Sequence, residues 1–315
     1  MILPQFEYKK ARSVADAVAL YKKMKGKACY LAGGTDLIPL VKLGLSTPKA
    51  VIDLKGIEDL KVISRRSGSL SVGANVTLFD LKNDPVTAGH FPALHESLEA
   101  TACETLQMRG TIGGNILQDA RCLEYNQSLE WRTSRGFCFR MGGKHCNVAK
   151  GAKTCFANYC SDNAPPLITL AAQVRLVGPG GERTVKLENL FTGDGKIPFA
   201  LEAGEILTHV LIPTKKTTGA YEKLRVRDSM DYPLVGVAVS VIGAQARICV
   251  GAVGAAPGLY VIKDIKDAAS LREVAERASA DAKPVANATV SPAYRKKMVG
   301  VLVKRAVKRA LEEGK

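Results

Sequence analysis

An α+β protein is what this sequence predicts, on two observations. Short strand-like runs alternate with short helical stretches through the first two thirds of the chain, and several strands followed by two helices fill the rest. A polar connection at residues 213–219, PTKKTTG, separates these parts and marks the expected domain boundary.

The elements follow from local pattern. Residues 13–25 place Val14, Ala17, Val18 and Tyr21 at helical spacing behind an N-cap at Ser13. A strand from Ala28 to Leu31 stops at Gly33-Gly34, and Thr35 and Asp36 are expected to cap a helix from Leu37 to Leu43. Strands are expected at 50–54 and 70–73, then a helix over 92–108 opened by Pro92 in its first turn. A second glycine pair, Gly113-Gly114, follows. Pro165-Pro166 opens a helix from Leu167 to Ala172, and 173–177 and 183–187 flank Gly178-Pro179-Gly180-Gly181 as a hairpin. Beyond the boundary, strands at 220–227, 234–243 and 245–253 lead to helices near 267–280 and 292–312.

Composition excludes several classes. A chain of 315 residues with 46% hydrophobic and 24% charged residues is an ordinary globular protein of two or three domains, not a disordered or fibrous one. No run reaches the roughly 20 apolar residues that span a bilayer. The N-terminal stretch lacks the charged, apolar, small-residue order of a signal peptide, so a cytoplasmic protein with no membrane partner is expected. The net charge of +15, from 45 Lys and Arg against 30 Asp and Glu, favours anionic partners. A nucleic-acid-binding protein is the reading that charge alone would motivate. The basic last helix carries no aromatic stacking pattern, however, so no nucleic-acid partner is expected.

The two glycine turns share one logic. In Leu31-Ala32-Gly33-Gly34-Thr35-Asp36 and Thr111-Ile112-Gly113-Gly114-Asn115, paired glycines allow positive φ and close approach of backbone to a ligand. Successive N–H groups at a helix start then cradle phosphate oxygens. Either pair is also explained as a plain tight turn, and neither fits the G-x-G-x-x-G or P-loop patterns.

Eight cysteines in a reducing compartment point to ligands or redox groups rather than disulfides. Five fall in one segment: Cys122-x15-Cys138-x7-Cys146-x8-Cys155, then Cys160. The wide gaps lack the paired knuckles of structural zinc sites. An iron–sulfur cube accepts thiolates from separate loop turns. Spacing alone leaves zinc, a cluster and unligated thiols all open. Seven basic residues between 121 and 155 (Arg121, Arg132, Arg135, Arg140, Lys144, Lys150, Lys153), against Glu124 and Glu130, would suit an anionic centre and an acidic carrier docking beside it. His145 reads as a loop histidine, Trp131 as packing for the segment, and Gly142-Gly143 as a loop turn.

The series LAGGTDLIPL, VIDL, SVGANVTLFDL, RGTIGGNI and DNAPPLITL, with YEKLRVRDSMDYPLVGVAV and VGAVGAAP, resembles the FAD-binding subunits of molybdenum hydroxylases over nearly the whole chain. The resemblance implies a two-subdomain FAD-binding domain over 1–215, divided into about 1–56 and 57–215, and a C-terminal α+β domain over 220–315 of antiparallel sheet plus helices. It implies that Cys29, Tyr30, Leu31, Ala32, Gly33, Gly34, Thr35 and Asp36 line FAD with Thr111, Ile112, Gly113, Gly114 and Asn115. By the same matching Thr101, Asp162, Leu207 and Lys223 contact other parts of FAD, and Asp162 also suits an N-cap before Pro165. Most members of the family pass from the second glycine turn to the Asp-x-x-Pro stretch far more directly, so 121–160 reads as an insertion.

A four-cysteine insertion of this kind resembles the 4-hydroxybenzoyl-CoA reductase branch of the family. That resemblance carries [4Fe–4S] ligation onto Cys122, Cys138, Cys146 and Cys155, and leaves Cys160 without a role. It implies an electron-transfer subunit of a molybdenum-containing oxidoreductase. The implied partners are a molybdopterin-containing large subunit, a [2Fe–2S] small subunit and a ferredoxin-like donor. No catalytic residue is expected on this chain. The alternative is the FAD subunit of a relative acting on an N-heterocycle or aldehyde.

Overall fold

A computed structural model describes residues 3–66, 68–286 and 290–313. Three sheets form, in chain order. The first is parallel: β1 (Glu7–Lys10), β2 (Ala28–Leu31) and β3 (Ala50–Asp53) lie in the order β1-β3-β2. Parallel neighbours need a crossover, and α1 (Val14–Lys23) supplies one between β1 and β2, with α2 (Leu37–Lys42) between β2 and β3. Ser13 caps α1, its Oγ accepting from the Asp16 N–H at 3.1 Å. The core beneath this sheet holds Ala17, Val18, Ile52 and Leu60.

The second sheet is antiparallel, in the order β4-β5-β8-β6-β7: β4 (Ile63–Arg66), β5 (Ser69–Gly73), β6 (Gln173–Gly178), β7 (Gly181–Lys186) and β8 (Ile206–Pro213). Helices α3 (Leu78–Lys82), α4 (Pro85–His90), α5 (Pro92–Glu99), α6 (Glu104–Gln107), α7 (Ile112–Ile116), α8 (Leu129–Arg135) and α9 (Ala164–Thr169) lie between β5 and β6. The core here gathers Leu94, Leu98, Ile112, Ile116, Leu167 and Val210. The third sheet is a meander, β12-β11-β10-β9, from β9 (Thr218–Leu224), β10 (Val235–Ile242), β11 (Gln245–Gly251) and β12 (Gly258–Ile262). Its core is closed by α10 (Ala268–Asp281) through Val274, Ala275 and Ala278 and by α11 (Pro292–Glu312) through Val299, Leu302, Val303 and Ala306.

Four expectations change. The helix expected over 92–108 is broken: α5 ends at Glu99, Ala102 takes φ +54°, and α6 is a separate short turn. Buried Gln107 holds the break, its Nε2 donating to the carbonyls of Leu98 and Thr101 at 3.0 and 2.7 Å. β8, the middle strand of the second sheet, is absent from the sequence expectations. The polar pair Thr208-His209 interrupts its apolar residues, so no continuous strand run is legible, although burial alternates from Thr208 to Pro213. β1, β4 and β12 are also absent from the sequence expectations. Finally, Asp36 and Asp162 make no N-cap hydrogen bond. Asn163 takes the cap position of α9, and the Ser161 hydroxyl accepts from the Ala164 N–H.

Candidate functional site

The first glycine turn leaves β2 where that strand ends beside β3. Its two glycines differ in task. A Cβ on Gly33 would stand 2.0 Å from the Arg109 carbonyl oxygen, so Gly33 exists to let the two turns touch; Gly34 has φ +82°. Among the described residues the N–H groups of Gly33, Gly34, Thr35 and Asp36 donate to no acceptor. Unpaired successive N–H groups beside a cavity are an anion cradle. They fit the pyrophosphate of FAD.

The second turn is built differently. Ile112 and Gly113 donate to the carbonyls of Val76 and Ala74, Gly114 to the Thr111 hydroxyl, and Asn115 to the Thr111 carbonyl. A Cβ on Gly113 would fall 2.7 Å from that of Ala74. The two turns therefore do not share one logic. The first offers backbone donors, whereas the second uses its own to fold and contributes a close-packed wall. Its free donor is a side chain: Asn115 Oδ1 accepts from Ser161 and Asn163, which leaves its amide nitrogen without an acceptor among the described residues.

Two adjoining cavities share Thr35, Asp36, Thr111 and Gly114. The larger, ≈ 470 Å³, is lined by Cys29, Tyr30, Ala32, Gly33, Gly34, Gly113 and Leu207. The smaller, ≈ 280 Å³, is lined by Thr101, Asn115, Cys160 and Asp162. Cavities of this size and mixed lining suit a cofactor laid across both. Leu31 and Ile112 line neither, Ile112 being fully buried in the core. Lys223 lies behind the wall: its ammonium donates to Asp162 at 3.0 Å and to the Ala100 carbonyl at 2.8 Å.

That wall is a buried polar network. Asp162 also accepts from the Tyr221 hydroxyl at 2.7 Å. Burial pushes the Asp162 carboxyl up, and the Lys223 charge works against the shift. Above it, the Ser97 hydroxyl donates to Asn163 Oδ1 at 2.8 Å, and Asn163 Nδ2 reaches Thr101 and Asn115. Each member fixes a neighbour's orientation, so the cavity is shaped before any ligand arrives.

Sequence reasoning missed the rim. Arg227, Met230, Asp231 and Tyr232, from the loop between β9 and β10, close one side of the smaller cavity. Asp231 organises this loop by accepting from the Val226 and Arg227 N–H groups. Tyr232 stacks on the Arg121 guanidinium, 4.6 Å from ring centroid to Cζ. Arg121 in turn pairs with Asp36, whose second oxygen accepts from the Asp119 N–H at 2.9 Å. Burial raises Asp36, with Arg121 acting against it. The adjacent charges in the sequence were the only available signal, and they name no partner.

The cysteine segment is pinned at its base by paired backbone hydrogen bonds between Arg121 and Asn158. It folds into α8, capped by Ser128, and loops that turn at Gly142, where φ is +84°. A Cβ on Gly143 would overlap the Phe137 carbonyl oxygen at 1.6 Å, so this glycine pair serves the turn. Cys122, Cys138, Cys146 and Cys155 all line one pocket, with Tyr125, Phe139, Arg140 and Val148. The Ala157 N–H points at Cys155 Sγ at 3.4 Å. Burial raises the Cys122 thiol to about 11, and the nearness of Cys155 and Cys146 adds to the rise. Among the described residues no group of three or more His, Cys, Asp or Glu side chains could hold a single metal ion as it stands. Cys160 lies apart, lining the smaller cavity, and His145 is exposed. Trp131 stands half-buried on α8 against Arg135.

Arg140 joins the two places. Its guanidinium grips both oxygens of Asp119 at 2.6 and 2.7 Å and the Ala120 carbonyl at 2.8 Å, while facing the Tyr125 ring at 4.0 Å. Asp119 lines the larger cavity and Arg140 lines the cysteine pocket.

Comparison with known proteins gives the same outline. Residues 4–215 match the model of the FAD binding domain in molybdopterin dehydrogenase, and 219–310 that of the CO dehydrogenase flavoprotein C-terminal domain. The chain is 29% identical to the carbon monoxide dehydrogenase medium chain of Afipia carboxidovorans, with 100% of each covered. It is likewise 29% identical to the aldehyde oxidoreductase FAD-binding subunit PaoB of Escherichia coli, covering 90% of this chain and 92% of that one. Among solved structures, quinoline 2-oxidoreductase from Pseudomonas putida 86 superposes with a TM-score of 0.78 at 26% identity, covering 99% of both chains. Among the described residues no helix is long and apolar enough to cross a membrane.

Proposed function

The chain belongs to the FAD-binding family of the molybdopterin dehydrogenases, and from that membership we propose that it is the flavin and iron–sulfur subunit of a 4-hydroxybenzoyl-CoA reductase. In this reading the subunit accepts electrons from a low-potential, ferredoxin-like donor and delivers them to a [2Fe–2S] small subunit. A molybdopterin-containing large subunit then replaces the ring hydroxyl of 4-hydroxybenzoyl-CoA by hydrogen. Two electrons and two protons enter, and benzoyl-CoA and water leave.

Bound FAD supplies the conversion between paired and single electrons that such a chain requires. The residues' part is to hold and orient. The free N–H groups of Gly33 through Asp36 would hold the pyrophosphate, Asn115 and Asp162, the latter braced by Lys223, would wall the smaller cavity, and Tyr232 would close its rim. Cys122, Cys138, Cys146 and Cys155 would hold a [4Fe–4S] cluster.

The observation that carries this reading is that these four cysteines, and not Cys160, line one pocket beside the glycine-turn cleft. Four thiols drawn from separate loop turns, without the paired knuckles of structural zinc sites, are a donor set that suits a cube. The outer face of the insertion adds support. Leu123, Leu129 and Phe137 are exposed on this segment, as are Arg135, Lys144, Lys150 and Lys153, the apolar and basic side chains an acidic carrier would use.

The test is anaerobic purification followed by a visible spectrum with iron, sulfide and zinc analysis. About four iron atoms per chain with a flavin envelope are expected; zinc in the pocket refutes the cluster. Reduced ferredoxin should bleach the flavin more readily than NADH, and the reverse preference refutes the inward direction. The names of the matched relatives favour a second reading, an oxidising complex acting on an aldehyde or N-heterocycle. It predicts that such substrates bleach the flavin of the assembled complex.

A further inference from the structure

We propose that Asp119 and Arg140 form a fixed dipole between the cysteine pocket and the flavin cleft, and that Arg140 is the positioning residue through which the protein sets the reduction potential of the centre held by the four cysteines. The inference rests on the cluster reading above.

The geometry has three parts. Arg140 is held on every side, by both Asp119 oxygens, the Ala120 carbonyl and the Tyr125 ring, with only 9% of its side chain exposed. A guanidinium so fixed cannot swing out to solvent, and its charge is weakly screened. The pair's two members line different cavities: Arg140 lines the pocket of the four cysteines, and Asp119 lines the cavity beside the glycine turns. Asp119 is itself locked to the flavin side, because its N–H donates to Asp36 at 2.9 Å. Its carboxylate is held separately, Oδ1 accepting from the Ala120 N–H at 2.9 Å.

The electrostatic consequence has a definite sign. Reduction adds one negative charge to a centre that four thiolates already make anionic. A positive end nearby stabilises the reduced form and raises its potential. Arg140→Gln removes the positive end and leaves Asp119 uncompensated, so the potential falls. Asp119→Asn leaves Arg140 uncompensated, so the potential rises. Arg140→Lys keeps the charge and returns most of the wild-type value. A merely structural role would not give opposite signs.

The test is a redox titration of the anaerobically purified full chain, followed by electron paramagnetic resonance, with iron and flavin content measured on each variant. Opposite shifts for Arg140→Gln and Asp119→Asn, with Arg140→Lys near wild type, are expected. Shifts of one sign, or none in variants that keep their iron, overturn the inference. If Arg140→Gln loses its iron, a rise for Asp119→Asn alone carries the inference and its absence overturns it. Loss of iron from both variants assigns the pair to holding the insertion together and also overturns it. A wild-type chain without iron instead overturns the cluster reading, and is distinguished because it fails before any variant is compared.

Discussion

Replacing Lys223 by Met tests the wall of the smaller cavity most directly. Lys223 and Asp162 are an ion pair at 3.0 Å with 4% and 6% of their side chains exposed. Their charges are hardly screened, and each would be costly to leave alone. Removing one partner of such a pair typically destabilises by about 3–5 kcal/mol, because the survivor is a buried charge without compensation. After Lys223→Met, the Tyr221 hydroxyl at 2.7 Å is the hydrogen bond left to the Asp162 carboxylate among the described residues. Its carboxyl, already raised by burial against the pull of Lys223, rises further.

The sign of the pH dependence follows. An acid whose folded-state pKa lies above its unfolded value carries no penalty below the unfolded value, 3.8 for this group. The penalty grows as pH rises through the folded pKa and is complete above it. The variant's deficit is therefore greatest at neutral pH and shrinks on acidification. Adding Asp162→Asn to Lys223→Met removes the stranded charge and restores most of the loss. Urea unfolding of the flavin-free chain at several pH values, followed by circular dichroism, reads all three variants. A deficit within about 0.5 kcal/mol for Lys223→Met, typical of an exposed pair, would refute the reasoning. So would a double variant as unstable as the single one.

Other outcomes follow from the same geometry. Gly33→Ala forces a methyl against the Arg109 carbonyl, a strain of about 1–3 kcal/mol that weakens FAD binding roughly tenfold or more in equilibrium dialysis. Cys155→Ser should lose most of the chain's iron while Cys160→Ser keeps it, since only Cys155 lines the shared pocket; equal losses would refute the assignment of ligands. His209, on β8, is held below its ordinary value by burial and then by Arg175. Its neutral form is favoured when folded, so its contribution is present above pH 6.5 and is lost as pH falls below that. His209→Gln should flatten the stability profile between pH 7 and 5, and an unchanged slope would count against this.

Both glycine turns, the cysteine segment, the hairpin at Gly178–Gly181 and the last two helices were legible because each rests on local chemistry. Glycine pairs, cysteine spacing and helical periodicity need no distant partner to be read. The helix over 92–108 misled because its periodicity continues through Thr101–Cys103, while the break depends on Gln107 reaching back to two carbonyls. β8 was missed because Thr208-His209 breaks its apolar run in the sequence, and the alternating burial of 208–213 appears only once the sheet is formed. The rim loop at Arg227–Tyr232 and the residues Asp119 and Arg140 carry charges that look solvated until their partners, far away in sequence, are known.

The sequence by itself determined which residue types were available: paired glycines where backbone must come close, four thiols on one segment, and an excess of positive charge around them. Tertiary structure alone decided how they divide the work. It left the first turn's N–H groups free and closed those of the second, placed four cysteines around one pocket and the fifth in the neighbouring cavity, and set Asp119 and Arg140 between them. The physical reason is that a donor's availability and a charge's effect depend on what lies within a few ångströms, and the chain brings those neighbours from tens to hundreds of residues away only when its three sheets pack.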